Sequence, residues 1–358
     1  MSINYHFSDE RDPLTRGRGI GERWRAQIHG TAKDYAWLFD AAKLDRHTVR
    51  RIAEQGYEHL RAWSPGLATE LEGVAQGTGL ELWEVAALNC RTEILVRGSI
   101  AGLKECTAAA WLPPGEPPRA LQTWDWIPSV GNFTVLKHTS PADLTVATFA
   151  ENGVLGKAGI NSSGLGLLFT LLCHTSDGTR EGVPIHAVAR QVLDTARSVQ
   201  DAVDIVRSAP LTASASFTVL TWDGRSADGA VIEASPEEVV VLPPEEGFLL
   251  HTNHFLDPGL ARGDRLAAIG DDTLPRMEVL RERRSVMTAQ SRTEWAKGLI
   301  HHWEDGAPVC AHPRPGAPET DRWETKMLIS FDLDRRTLVL QEGGPCAVTA
   351  DGWTEVAV

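Results

Sequence analysis

Residues 144–172 read LTVATFAENGVLGKAGINSSGLGLLFTLL, and this stretch decides the fold. Short runs of Val, Thr, Leu and Phe broken at Asn152-Gly153 carry the punctuation of hairpins, not of helices. The same texture starts at Cys106 and is interrupted at Pro113-Pro114-Gly115 and Val130-Gly131-Asn132. Upstream, from about residue 22 to 98, apolar residues recur at helical spacing (Val49, Ile52, Ala53, Leu60, Trp63, then Val85, Leu88, Thr92, Leu95). Ser64-Pro65-Gly66 and Gly77-Thr78-Gly79 divide that region into short helices joined by brief turns.

Downstream, residues 184–208 return to helical spacing, with Ser198 and Asp201 placed as a capping box. Strand-like runs follow at 215–222, 229–234, 237–242 and 247–252. A second helical stretch, about 262–303, carries another cap signal at Ser291 and Glu294, and the strands KMLISFDL and TLVLQE close the chain. Blocks of strands alternating with pairs of helices indicate an α+β fold, helices covering the outer faces of antiparallel sheets, since parallel folds alternate single strands with single helices.

The 358 residues suffice for one large core or two ordinary ones. A net charge of -13 argues against binding a nucleic-acid backbone. No apolar run approaches the roughly 20 residues that span a bilayer, and MSINYHFSDERD lacks an apolar signal core. The expected setting is cytoplasmic, without membrane or nucleic-acid partners. The five cysteines include no C-x-x-C pair, so no disulfide framework or zinc cluster is suggested and no cofactor is expected. Cys90, Cys173, Cys310 and Cys346 read as packing or surface thiols. Cys310-Ala311-His312 and the His251/His254 pair would need further partners to hold a metal, and His301 and His302, read as helical, do not share a face. The Gly17, Gly19, Gly21 run lacks a preceding strand and reads as a turn, not a phosphate cradle. Twelve tryptophans read first as core.

Cys106 opens the first strand after the helical region and is followed by Thr107; a strand, a turn and the segment QTWDW (122–126) then bring in Asp125. Upstream lie ATELEGVAQGTGLELWEVAALNCRTEIL (68–95) and RGRGIGERW (16–24); downstream lie AGINSSGLGLLF (158–169) and HTNHF (251–255). This order of segments resembles the penicillin acyltransferase family of self-cleaving N-terminal-nucleophile enzymes. The resemblance implies a four-layer αββα sandwich of antiparallel sheets. It also implies self-cleavage between Glu105 and Cys106, which turns residues 1–105, a helical fragment, and residues 106–358, the nucleophile-bearing αββα fragment, into two associated subunits.

By the same resemblance Cys106 is the nucleophile, Asp125 supports the new amino terminus, and Asn253 supplies an oxyanion donor. Arg322 is the candidate for an arginine that the family places late in the chain. Trp126, His251 and His254 are candidate substrate contacts beside these positions, and segments 127–133, 174–183 and 253–262 are candidate pocket walls. The chemistry is coherent: a terminal cysteine carries its own base, because an α-amino group with a pKa of about 7.7–8.0 can take the thiol proton. On an alternating strand Trp124 and Trp126 point away from Asp125, which assigns the tryptophans to packing and Asp125 to the site face. In HTNHF, His251 and Asn253 share one face, Thr252 and His254 the other.

One departure stands at the cut, where the family's usual glycine is replaced by Glu105. An N-to-S acyl shift needs a strained peptide, which glycine tolerates best. The implied activity is transfer of an acyl group from an amide through a Cys106 thioester, to water or to an amine acceptor. Two alternatives stay open: an amidohydrolase of N-acyl amines, N-acyl amino acids or β-lactams without transfer activity, and an uncleaved binding module of the same fold.

Overall fold

A computed structural model describes residues 3–98, 106–130, 133–269 and 272–358; Glu105, and with it the carbonyl side of the expected cut, lies outside the described residues. Strand β1 (Asn4–Ser8) precedes six helices: α1 (Pro13–Arg23), α2 (Arg25–Ala41), α3 (Arg46–Trp63), α4 (Pro65–Thr78), α5 (Leu82–Asn89) and α6 (Arg91–Leu95). Six strands follow: β2 (Cys106–Trp111), β3 (Arg119–Trp126), β4 (Phe133–Thr139), β5 (Thr145–Glu151), β6 (Ala158–Asn161) and β7 (Leu165–Leu171). Helices α7 (Ile185–Thr195) and α8 (Val199–Ser208) lead to β8 (Ala215–Trp222), β9 (Ala227–Ala234), β10 (Val239–Leu242) and β11 (Phe248–His251). The last elements are α9 (Arg265–Ala268), α10 (Thr273–Arg283), α11 (Arg292–Gly298), β12 (Glu324–Asp332), β13 (Thr337–Glu342) and β14 (Thr354–Ala357).

The strands form two sheets. One has the order β1-β4-β5-β6-β7-β8-β9-β10 and the other β11-β2-β3-β12-β13-β14; every pairing is antiparallel except β1 with β4. The sheets pack face to face. Gln122 of β3 reaches across, its Nε2 donating to the Phe169 carbonyl of β7 at 2.6 Å and its Oε1 accepting the Phe169 N–H at 3.1 Å. The Trp124 ring meets Phe149 edge-on at 5.6 Å. Helices α7 and α8 lie against the larger sheet, while Leu280, Met287, Trp295 and Leu299 of the α10–α11 region cover Leu121 and Leu328 on the outer face of the smaller one. The result is four layers, αββα, as expected.

Both capping boxes form: Ser198 with Asp201 starts α8, and Ser291 with Glu294 starts α11. Two local readings are corrected. The 262–303 stretch is several short elements, restarted by the Asp264 and Ser291 caps and ending at Gly298, so His301 and His302 stand outside any α-helix. The Gly17–Gly21 run is helical. Gly17 and Gly21 of α1 face Gly73 and Gly77 of α4 so closely that a Cβ on Gly17 would stand 2.0 Å from the Glu70 carbonyl oxygen, and one on Gly77 2.3 Å from that of Arg18. Glycine is required there by backbone approach, not by a turn.

This helix pair carries a buried ion network into the strand region. Glu70 of α4 accepts from Arg16 Nε and Nη2 at 2.9 and 2.6 Å and from Arg190 Nη1 and Nη2 of α7, both at 3.0 Å. Arg190 Nε also binds both oxygens of Asp194 at 2.9 Å, and Asp194 meets His138 Nε2 at 2.8 Å. The two guanidiniums hold the Glu70 carboxyl below its ordinary range against the burial that would raise it. Residues on both sides of position 106 therefore share one core, apolar and ionic alike.

Candidate active site

Sequence register places the site. Strand β11 pairs with β2 so that His251 faces Ala108, and the next two residues along bring Asn253 beside Cys106 at the head of β2. The Cys106 backbone N–H donates to Asn253 Oδ1 at 3.3 Å. Arg276 of α10 completes the group: its Nη2 donates to the same Oδ1 at 2.7 Å, while Nη1 donates to the Cys106 carbonyl at 2.8 Å and to Thr107 Oγ1 at 2.9 Å. Nε of Arg276 binds Asp272 Oδ1 at 2.8 Å, at the start of its own helix. Cys106, Asn253 and Arg276 are all buried.

The orientation of Asn253 is chemically fixed. Its Nδ2 donates to the Leu171 carbonyl at 2.9 Å. Exchanging oxygen and nitrogen would set the amide N–H groups against two donors and the oxygen against a carbonyl. The amide therefore holds the Cys106 nitrogen with its oxygen, and one of its two N–H bonds is committed to Leu171. Among the described residues no acceptor takes the other.

Asp125 stands elsewhere than the alternation argument placed it. Cys106 pairs directly with Trp124, so the thiol side chain and the tryptophan share the inter-sheet face, while Asp125 shares the opposite face with Thr107 and Thr123. Tryptophans and Asp125 do point apart, but the thiol goes with the tryptophans. Asp125 Oδ1 accepts from Thr325 Oγ1 at 2.6 Å, and that hydroxyl in turn accepts from the Ala311 N–H at 2.9 Å. Asp125 therefore follows the strand partner of Cys106 by one residue and faces away from the sulfur.

The candidate substrate contacts Trp126, His251 and His254 are all buried, and Arg322 is not. Trp126 is enclosed by Trp124, Trp323 and the Arg91 guanidinium, 4.8 Å from its ring, and presents no surface to a ligand. His251 is also sealed, with Nε2 on Glu233 at 2.9 Å and Nδ1 on Thr170 Oγ1 at 3.0 Å. Both carboxylate oxygens of Glu233 further accept N–H groups of Leu256 and Asp257, which anchors the chain beyond Asn253. His254 turns to the other face, as expected, where Nδ1 meets Thr273 Oγ1 at 2.9 Å; burial first, then the charges of His251 and Arg276, pushes it down to about 4. Arg322 is exposed, and the arginine that reaches Cys106 is Arg276. Nothing in RMEVLRERR distinguishes Arg276 from its neighbours as a sequence; only the packing of α10 does.

Burial raises the Cys90 thiol well above its usual range, which keeps it protonated and poorly nucleophilic at neutral pH. A further set of donors that the sequence did not join also comes together: His302, Cys310, His312 and Cys346 place one ligand atom each within 4.8 Å of one another. Separate segments supply them, which is why spacing alone missed the set. No helix among the described residues is long and apolar enough to cross a membrane.

Two stacked antiparallel sheets between helical layers, with a cysteine at the head of a central strand, are the architecture of N-terminal-nucleophile hydrolases. The chain belongs to the acyl-coenzyme A:6-aminopenicillanic acid acyl-transferase family, which it matches over residues 112–346; Cys106 stands just ahead of the matched stretch. It is 28% identical over 255 residues to the 40 kDa form of acyl-coenzyme A:6-aminopenicillanic-acid-acyltransferase of Emericella nidulans, covering 70% of this chain and 69% of that one. Among solved structures it is similar to penicillin V acylase from Agrobacterium tumefaciens (TM-score 0.48, 18% identity, 71% of this chain and 86% of that one). It is also similar to a variant of conjugated bile acid hydrolase from Clostridium perfringens (TM-score 0.46, 13% identity, 70% and 92%).

Proposed function

We propose that this protein cleaves its own chain before Cys106 and then uses the Cys106 thiol to take an acyl group from a C–N bond, passing it to water or to an amine. The observation that carries this is the grip on the backbone of one residue: the Cys106 nitrogen, on the scissile side, rests on Asn253 Oδ1, and the Cys106 carbonyl, in the next peptide unit, on Arg276. That nitrogen is the one that becomes the free amine, and its acceptor is already in place. Once free, the amine is the base for its own thiol, and Asp125, on the adjacent strand, balances the ammonium form.

Attack of the thiolate on an amide carbonyl gives a tetrahedral oxyanion, for which the second N–H of Asn253 is the donor in this account. Collapse expels the amine, which takes the proton from the Cys106 ammonium; water or an acceptor amine then cleaves the thioester. The name of the Emericella nidulans relative pairs an acyl thioester with an amine acceptor, which supports transfer as well as hydrolysis here. A groove of about 490 Å³ between β10, β11 and α10, walled by Phe248, Leu250, Leu256 and Met277 with Arg281 and Arg284 at its rim, lies beside the site without being lined by Cys106, Asn253 or Arg276. Its size suits a small ligand, and Met277 follows Arg276 on the same helix. Of the candidate pocket segments, only 253–262 contributes to it.

Glu105 favours a second reading, the uncleaved binding module. Incubation with an N-acyl amine, with and without added acceptor amine, followed by mass analysis of the Cys106 peptide, separates the readings. An acyl adduct on Cys106 is expected for the enzyme; an unmodified thiol and no product contradicts it.

A further inference from the structure

We propose that His302, Cys310, His312 and Cys346 form a zinc site of the Cys2His2 type, separate from the acyl-transfer site. The four ligand atoms lie within 4.8 Å of one another. Cys310 Sγ is 3.7 Å and Cys346 Sγ 3.3 Å from His312 Nε2. Zinc bonds of about 2.3 Å to sulfur and 2.0–2.1 Å to nitrogen in a tetrahedron put neighbouring ligand atoms roughly 3.3–3.8 Å apart. Both spacings fall within that range before any adjustment of rotamers. The donor set, two thiols and two imidazoles, suits zinc over magnesium or calcium, which prefer oxygen.

A second observation points the same way. His302 Nε2 is buried without a hydrogen-bond partner, and an orphaned ring nitrogen beside two sulfurs and a second imidazole calls for an electrophile. The rings of His302 and His312 stand 5.0 Å apart, tilted at 60°, so that their nitrogens converge without the rings stacking. All four positions come from the protein, which makes the site structural, not catalytic.

Its place in the fold gives it a task. The segment from His301 to His312 has little regular structure, only a short 3-10 turn at Trp303–Asp305, and Cys346 lies in the turn Pro345–Ala347 after β13. A shared ion fastens these two pieces together. The Ala311 N–H, between two of the ligands, donates to Thr325 Oγ1, and Thr325 donates to Asp125. Zinc thus clamps the loop that braces the Asp125 side of the active site.

Metal content of the purified full-length chain, measured by elemental analysis after dialysis against a mild chelator, tests the proposal. Cys346→Ser and His312→Ala change exposed residues and leave the core intact; Cys106→Ala is the control. About one zinc per chain is expected in the wild type and in Cys106→Ala, with most of it lost from the other two. Cobalt in place of zinc should give the intense visible absorption of a tetrahedral thiolate site, abolished by Cys346→Ser. Zinc content near background in freshly reduced protein supplied with the metal, zinc that follows Cys106, or a Cys310–Cys346 disulfide in the native protein that leaves no metal capacity on reduction would each overturn it.

Discussion

Replacing Arg276 by lysine is the most informative single change. The guanidinium donates hydrogen bonds of 2.7–2.9 Å to Asn253, Cys106, Thr107 and Asp272, from three nitrogens held in one plane. An ammonium is a point charge without that fork, and from the same helix position it can satisfy one or two of these acceptors. Two lost charge-assisted bonds, at about 1.5–3 kcal/mol each, amount to roughly 3–6 kcal/mol of local positioning. If a third to a half of this is felt in the transition state for cleavage, the barrier rises by about 1–3 kcal/mol, a slowing of roughly 5- to 150-fold. The assay is the time course of precursor disappearance after a pulse of expression, followed by intact mass, beside urea unfolding to report stability. Processing at the wild-type rate by Arg276→Lys of unchanged stability would refute the claim that the arginine positions the Cys106 peptide.

Further outcomes are expected. Glu70→Gln, made in a Cys106→Ala background so that one chain unfolds, strips the carboxylate from Arg16 and Arg190 and should cost about 3–5 kcal/mol in urea unfolding, whereas Arg16→Met, which leaves Glu70 with Arg190, should cost less. His254 is held neutral when folded, with its pKa down at about 4 against 6.5 unfolded, so its contribution to stability is lost as the pH falls from about 6.5 to 4. The loss is at most about 3 kcal/mol, and the stability difference between wild type and His254→Gln should vary with pH in that window and nowhere above it. Glu105→Gly should accelerate self-cleavage, measured by the same pulse assay, because glycine tolerates a strained scissile peptide.

Signals carried by a few adjacent residues were legible in the sequence. The Ser198 and Ser291 caps, the hairpin texture of 144–172 and the helical spacing of 22–98 are local properties, and the structure has them where the pattern put them. The face on which Cys106 lies was not legible, because it depends on the β2–β3 register set by the connection between Trp111 and Arg119, and a slip of one residue would exchange Trp124 for Asp125 beside the thiol. Strand β1 gave no signal either: NYHFS is short, and its partner β4 is more than a hundred residues away. Arg276 and the four-donor cluster were invisible for the same reason, since long-range packing alone brings 276 to 106 or 346 to 302.

The most direct test of the account is the intact mass and amino-terminal sequence of the purified protein beside a Cys106→Ala control. Two co-purifying chains are expected, residues 1–105 and a second beginning at Cys106, with the control uncut. A single full-length chain in the active, wild-type preparation would contradict it, because Cys106 would then keep an amide nitrogen and have no base of its own.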